Sequence, residues 1–175
     1  VVGRIARGKS TVLVRLLLEA FRAGKRVLFV SFEMPILQQV RRFLAMTLRV
    51  NYRQMKFGRL SWFVEQRLRR EARELLAGPG AVYFFMAGLM STVAQLRTVI
   101  QEVRPELVLL DGGTMLRSSG HFRSTWERMT DTTQELRMMS LDLNLPFVVS
   151  YHFNREVRTN SRQGSLENIG FTDQV

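Results

Sequence analysis

Near its start, at residues 3–10, the chain reads Gly-Arg-Ile-Ala-Arg-Gly-Lys-Ser. It matches the pattern G-x-x-x-x-G-K-[ST] at every fixed position. In that pattern the glycines let backbone N–H groups turn towards a phosphate, and the helix that follows adds the positive end of its dipole. The segment therefore predicts a phosphate-binding loop that leads into a helix. The alternative is a surface turn that happens to be rich in glycine and lysine.

The loop supplies a set of candidate ligands for ATP and Mg²⁺, the cofactors that we expect. The amine of Lys9 would reach the β- and γ-phosphates, and the Ser10 hydroxyl would bind the metal ion. The candidate nucleotide ligands are Gly3, Arg7, Gly8, Lys9, Ser10 and Thr11.

Apolar runs alternate with helical patterns along the 175 residues, which predicts a single α/β domain with a central, mostly parallel sheet flanked by helices. We predict strands at residues 26–32, 81–86, 107–110 and 146–151. We predict helices at residues 11–23, 35–48, 61–77, 92–103 and 126–143, with a basic connector at 49–60 and loops at 117–124 and 153–171. Only Val1 and Val2 could form a strand before the phosphate loop, so we expect a fragment of a longer protein, truncated at both ends.

Two carboxylates stand at the ends of predicted strands. Asp111 ends the run Leu-Val-Leu-Leu-Asp, where a carboxylate could hold the water shell of a magnesium ion opposite Ser10. Glu33 ends the strand that follows the phosphate-loop helix, where it could polarise a water molecule for attack on a γ-phosphate. The alternatives are an ordinary acid at a turn for Asp111 and a helix-capping acid for Glu33.

Composition narrows the function classes. The chain has 26 Lys and Arg against 15 Asp and Glu, a net charge of +11 that is typical of proteins with polyanionic partners, although a basic solvated surface is the alternative. It has no cysteine, which excludes disulfides and cysteine-based metal sites. No apolar run reaches the roughly 18–20 residues that a membrane span requires, and no signal peptide is visible. We therefore expect no membrane association and a cytoplasmic location, in a bacterium or in the host of a phage.

Three further segments carry a resemblance to a known family. Residues 31–35 read Ser-Phe-Glu-Met-Pro, residues 148–156 read Val-Val-Ser-Tyr-His-Phe-Asn-Arg-Glu, and residues 165–170 read Ser-Leu-Glu-Asn-Ile-Gly. With the phosphate loop, their order and spacing resemble the ATPase domain of DnaB-like replicative helicases, with the phage-encoded branch nearest. One segment departs from the family: Asp111 is followed by Gly-Gly-Thr instead of Tyr-Leu-Gln.

The resemblance implies a RecA-like P-loop NTPase fold and a function for each matching position. Lys9 and Glu33 would act in catalysis, and Ser10 and Asp111 would bind the metal. His152 falls where the family has a γ-phosphate-sensing Gln, and an imidazole can also donate to a phosphate; an ordinary strand-end histidine is the alternative. The family works as a hexameric ring on single-stranded DNA, with primase or a loader as further partners. Its arginine finger would lie beyond Val175.

In such a ring the loops after the third and fourth strands would face the DNA. Here they combine arginine with Ser, Asn and Gly, a composition suited to phosphate contacts without base readout. Mobile, solvated basic loops are the alternative. The candidate DNA-binding residues are Arg117, Arg123, Arg155, Arg158 and Arg162.

Three functions remain open at this point. The first is an ATP-dependent DNA helicase motor that translocates on single-stranded DNA during replication. The second is a RecA-type DNA-dependent ATPase, such as a recombination mediator or loader, that does not unwind DNA. The third is a small-molecule phosphotransferase, which the position of Glu33 disfavours.

Overall fold

The computed structural model describes residues 2–3, 8–88, 91–118, 120 and 125–152. Five parallel strands form one sheet in the spatial order β1-β5-β4-β2-β3. The strands are β1 (Val2–Gly3), β2 (Arg26–Ser31), β3 (Ala81–Met86), β4 (Leu107–Asp111) and β5 (Phe147–His152). The all-parallel order confirms the predicted α/β class, and all four predicted strands lie within one residue of the observed bounds.

In the described ranges, six helices and a short 3-10 helix at Gly113–Met115 connect the strands. They are α1 (Lys9–Arg22), α2 (Ile36–Thr47), α3 (Tyr52–Lys56), α4 (Trp62–Leu76), α5 (Val93–Val103) and α6 (Thr125–Asp142). Among these helices, in the part of the chain that the structure describes, none is both long enough and apolar enough to cross a membrane.

The basic connector predicted at residues 49–60 joins α2 to α4, but it contains a short helix, α3, that was not predicted. The helix has only five residues and begins at an N-cap, Asn51, whose side-chain oxygen accepts hydrogen bonds from the backbone N–H groups of Arg53 and Gln54. A single turn has no repeating apolar pattern, so helical periodicity could not reveal it. The cap residue was the available signal.

The sheet buries an apolar cluster on each face, and the strands divide their side chains between the two. Along β2, Val27 and Phe29 pack against α1 and α2 on one face, whereas Leu28 and Val30 belong to the cluster beneath α5 and α6. In β4, the side chain of Leu109 lies on the first face and its neighbours lie on the second. This alternation follows from the two-residue period of a strand. Because helices cover both faces, these central strands read as continuous apolar runs.

Candidate active site

The candidate catalytic side chains lie at one edge of the sheet because all the strands point the same way. Ser31 is in register with Asp111, and Asp111 with Ser150, so β2, β4 and β5 end side by side. The short β1 pairs with the end of β5, with Gly3 opposite His152. The carboxyl ends of parallel strands are where open α/β sheets bind their ligands.

The start of α1 has the local geometry of an anion site. Gly8 is its N-cap, with φ 85° and ψ 10°, a left-handed conformation that glycine adopts without steric cost. A glycine has no side chain to cap the first turn, and that turn carries no acidic residue. Gly8 itself therefore gives the first turn of α1 no side-chain acceptor, and the helix dipole favours negative charge there.

Lys9 lies at the centre of the site and is only 8% exposed. Burial lowers the pKa of its amine below the ordinary 10.5, while the negative charges of Glu33 and Asp111 act in the opposite direction. Burial outweighs the two carboxylates, so the folded protein disfavours the charged amine. Bound phosphates would raise this pKa, because their negative charge favours the charged amine.

Asp111 is held by hydrogen bonds from two neighbouring elements. Gln39 of α2 donates from Nε2 to Oδ2 at 3.0 Å, and Ser150 of β5 donates from Oγ to Oδ1 at 2.9 Å. The Ser150 oxygen also accepts from the Gly112 N–H at 3.0 Å. All three side chains are at most 2% exposed. Both oxygens of the carboxylate are therefore fixed in direction.

Glu33 lies in a tight turn between β2 and α2. The Ser31 hydroxyl donates to the Met34 carbonyl at 2.7 Å and accepts from the Met34 N–H at 3.2 Å. The Phe32 N–H donates to the Asp111 carbonyl at 3.0 Å, which ties the turn to β4. The turn therefore places an exposed carboxylate beside the buried amine of Lys9.

A cavity of about 360 Å³ opens next to Thr11. Val14 of α1 lines one side, and Arg42, Ala45 and Met46 of α2 line the other, together with Val50 and Tyr52. The Arg42 guanidinium lies 5.8 Å from the centre of the Tyr52 ring, within the range of a cation–π interaction. A partly apolar cavity with an aromatic ring and a planar cation, next to an anion site, could accept the base of a nucleotide.

Two side chains at the site, those of Ser10 and Asp111, offer oxygen atoms, the ligands that magnesium prefers. Within the described ranges, no group of three or more His, Cys, Asp or Glu side chains could hold an ion by itself. Magnesium is usually bound by one or two carboxylates together with substrate phosphates and water. Ser10 at the start of α1 and the oriented carboxylate of Asp111 fit that pattern. The buried Oε1 of Gln39, beside them, accepts no hydrogen bond from the residues that the structure describes.

The structure brings together part of the predicted set. Gly8, Lys9, Ser10 and Thr11 share the start of α1, with Asp111 and Glu33 beside them. For Gly3 and His152 the backbone alone is described, and it places them opposite each other. The remaining candidates at positions 7, 123, 155, 158 and 162 (Arg7, Arg123, Arg155, Arg158 and Arg162) lie outside the described residues.

Arg117 is held by backbone pairing and is not part of an open loop. It forms a parallel bridge with Thr92: its N–H donates to the Ser91 carbonyl at 3.1 Å, and its carbonyl accepts from the Val93 N–H at 2.9 Å. Its contact with DNA stays a prediction.

Several residues were not predicted from the sequence to belong to the site. They are Gln39, Arg42, Tyr52, Gly112 and Ser150, which orient a carboxylate, line the cavity or contact Glu33. Gln39 is a buried amide in an amphipathic helix, and its place in the helical period was the signal that could have revealed it.

Comparison with known proteins gives a family and a fold. A family model described as the DnaB-like helicase C terminal domain matches residues 1–166. Among solved structures, one titled "The Structure Of A DnaB-Like Replicative Helicase And Its Interactions With Primase" matches with a TM-score of 0.84 and 15% identity, over 95% of this chain and 41% of that chain. A second, whose title describes it as an ATPase domain, matches with a TM-score of 0.84 and 16% identity, over 98% of this chain and 63% of that chain.

The likeness to these two structures shows the fold, and it confirms the RecA-like architecture predicted from the sequence. The chain spans less than two thirds of the length of either one. A search of curated protein sequences finds no match.

Proposed function

The chain belongs to the family of DnaB-like helicase C-terminal domains, and on that basis we propose that it is a helicase motor that hydrolyses ATP to translocate on single-stranded DNA during replication. The observation that carries the proposal is the convergence of Lys9, Glu33 and Asp111 beside the N-terminal turn of α1, whose N-cap is a left-handed glycine. Phosphoryl transfer to water requires a cation, a carboxylate for the metal and a carboxylate for the water. The buried amine, the oriented carboxylate and the exposed carboxylate, which interact electrostatically, match these three requirements.

Each of these groups has a distinct task in the proposed reaction. The N–H groups of the first turn of α1 and the Lys9 amine bind the β- and γ-phosphates and stabilise the charge that develops on them. Glu33 accepts a hydrogen bond from the attacking water and orients it. His152, at the end of β5, is proposed to contact the γ-phosphate, and Thr11 and the cavity beside it to hold the nucleoside.

The protein holds the metal through few of its own atoms. Bound Mg²⁺ would neutralise charge on the β- and γ-phosphates. Ser10 is proposed to bind the ion directly, and Asp111 to hold its water shell. Gln39 and Ser150 fix the direction of the Asp111 carboxylate, so that it need not reorganise when the ion arrives.

Single-stranded DNA is the proposed polyanionic partner. The net charge of +11 supports this, and the five arginines named above are the proposed phosphate contacts. We propose a homo-oligomeric ring, with the arginine finger contributed by a neighbouring subunit. One structural relative has a title that names interactions with primase, and we propose primase or a loader as a further partner.

A second candidate function is a RecA-type DNA-dependent ATPase that does not unwind DNA. The segment after Asp111 bears on this choice, because Gly112 and Gly113 begin the stretch that leads to the predicted DNA loop. The ATPase site would be the same in both cases. Strand separation distinguishes the two functions, because only the helicase releases a labelled strand from a forked duplex.

The test is ATP hydrolysis by the full-length protein, with and without single-stranded DNA, for the wild type, Lys9→Ala and Glu33→Gln. We expect DNA to stimulate the wild type and both substitutions to lower kcat by about 10²–10⁴-fold, the typical contribution of such groups. Binding of a non-hydrolysable ATP analogue should be weakened by Lys9→Ala and retained by Glu33→Gln. DNA binding should also weaken steeply as salt is raised.

Two exposed residues provide matched controls. Lys25→Ala removes a lysine that pairs with Glu106 at 3.0 Å, at the opposite ends of the strands, and Glu102→Gln neutralises an exposed acid on α5. Both should leave kcat at the wild-type value. A wild-type kcat in Glu33→Gln would contradict the proposal that Glu33 is the catalytic base. A rate of ATP hydrolysis that single-stranded DNA does not change would contradict the proposal of a translocase.

A further inference from the structure

We propose that Gly112 is a positioning residue for Glu33: the space left by its missing side chain is where the catalytic carboxylate lies. This inference rests on the function proposed above. It concerns the residue that directly follows Asp111 at the end of β4.

The first observation is steric. A Cβ atom built on Gly112 would lie 3.1 Å from Cγ and 3.2 Å from Oε1 of Glu33, and 3.2 Å from Cβ of Phe32. These separations are tighter than ordinary van der Waals contact, so a side chain at this position would force a neighbour to move by a few tenths of an ångström. Glu33 therefore lies directly against the backbone of Gly112.

The second observation decides which neighbour would move. The Gly112 N–H donates to Ser150, which in turn donates to Asp111, so Gly112 cannot retreat without breaking a buried network. The Phe32 backbone is tied to Asp111 through its own N–H, and its side chain is 7% exposed. The side chain of Glu33 is exposed, whereas those of Phe32 and Ser150 are buried, so packing opposes a movement of Glu33 least. A substitution at Gly112 would therefore displace the proposed catalytic base and leave the metal-binding side in place.

The third observation is conformational. Gly112 has φ 100° and ψ 46°, in the left-handed region that most residues avoid. A substitution thus has a backbone cost in addition to the contact with Glu33, and the two effects must be separated. Gly58 offers the matched control, because it has φ 63° and a Cβ built on it would meet nothing within 4 Å.

The experiment compares Gly112→Ala and Gly112→Asn with Gly58→Ala and Gly58→Asn in the full-length protein. Asparagine is included because it adopts the left-handed region more readily than other side chains. A misplacement of about 1 Å can lower a rate about 10²-fold, so we expect kcat to fall about 3- to 10-fold in Gly112→Ala and further in Gly112→Asn. The KM for ATP and the Kd for an ATP analogue should stay at wild-type values, as should kcat in both Gly58 variants.

Two double variants test whether the effect passes through Glu33. In a Glu33→Gln background no base remains to be misplaced, so adding Gly112→Ala should cause no further loss of kcat. In a Glu33→Ala background two of the three close contacts are gone, so Gly112→Ala should lower Tm less than it does in the wild type. The change in Tm needs no catalytic activity. It therefore tests the contact between Gly112 and Glu33 even where a single variant is too unstable for the ATPase assay.

The outcomes separate this inference from the proposed function. Glu33→Gln with a wild-type kcat would overturn both. An inactive Glu33→Gln together with wild-type kcat in the Gly112 variants, or an equal loss of Tm with and without the Glu33 side chain, would overturn the positioning role alone. A fall in kcat at Gly112 with unchanged nucleotide affinity, absent in the Glu33→Gln background, would establish it.

Discussion

The substitution Ser150→Ala removes one hydroxyl group and should lower the free energy of unfolding more than the loss of a serine hydroxyl that makes a single hydrogen bond. The Ser150 Oγ donates to Asp111 at 2.9 Å and accepts from the Gly112 N–H at 3.0 Å, in a position that is 1% exposed. A hydrogen bond to a charged group contributes about 1.5–3 kcal/mol, and a buried N–H left without a partner costs about 1–3 kcal/mol. Because one hydroxyl serves both, we expect the free energy of unfolding to fall by about 2–4 kcal/mol.

The assay is thermal unfolding of the full-length protein by differential scanning calorimetry, beside Ser140→Ala as the control. The Ser140 Oγ donates one hydrogen bond to a neutral acceptor, the Leu145 carbonyl, at 2.8 Å. Its loss should cost about 0.5–1.5 kcal/mol. For a domain of this size each kcal/mol lowers Tm by about 2–4 °C, so Ser150→Ala should lower Tm by roughly 5–15 °C.

If Ser150→Ala were no more destabilising than Ser140→Ala, the double role of the Ser150 hydroxyl would be contradicted. The cost of Ser150→Ala should also shrink in an Asp111→Ala background, where the charged acceptor is gone. Ser150→Ala should also raise the Mg²⁺ concentration at which ATP hydrolysis is half-maximal. The substitution leaves one oxygen of the Asp111 carboxylate, which we propose to hold the ion's water shell, without its orienting hydrogen bond.

Two further predictions concern charge and the core. Burial lowers the pKa of Lys9, so folding disfavours its proton and stability without nucleotide should rise with pH between the lowered pKa and the ordinary 10.5. A bound polyphosphate favours the charged form of the Lys9 amine, so the Kd of an ATP analogue should increase as the pH rises through the same range. Calorimetry measures this Kd, and Lys9→Arg should abolish the increase. Leu110→Ala empties a fully buried position in β4 and should cost about 2–5 kcal/mol in chemical unfolding. Leu141→Ala, at a position 67% exposed, should change stability by no more than about 0.5 kcal/mol, and an equal cost at both positions would contradict the packing described for β4.

Features that depend on neighbouring residues could be predicted from the sequence alone. The fixed glycines and the lysine at residues 3–10 predicted the phosphate loop, and α1 does begin at Lys9 behind a left-handed Gly8. Apolar runs located the four long strands, because strands buried on both faces must be apolar throughout. Asp111 and Glu33 were recognisable because each follows such a run, and parallel strands then bring their ends to one edge.

Features that depend on residues distant in sequence emerged only from the folded chain. Gln39 and Asp111 are 72 positions apart, and Ser150 and Asp111 are 39 apart. No local pattern reports that a glutamine on α2 and a serine on β5 donate to the same carboxylate. Nor could it show that Arg42 and Tyr52 line a cavity beside Thr11, because this depends on how α2 and α3 pack against α1.

The Gly-Gly pair after Asp111 shows the difference between what neighbouring residues and what distant residues determine. In the sequence it is a departure from a family pattern, and its consequence was unknown. In the fold, Gly112 makes room for Glu33, and Gly113 lies so close to β5 that a Cβ on it would collide with a methyl carbon of Val149. Dihedral preferences and apolar periodicity are local and can be read along the chain. The space that a missing side chain leaves is set by the residues that fold against it, and only the packed structure identifies them.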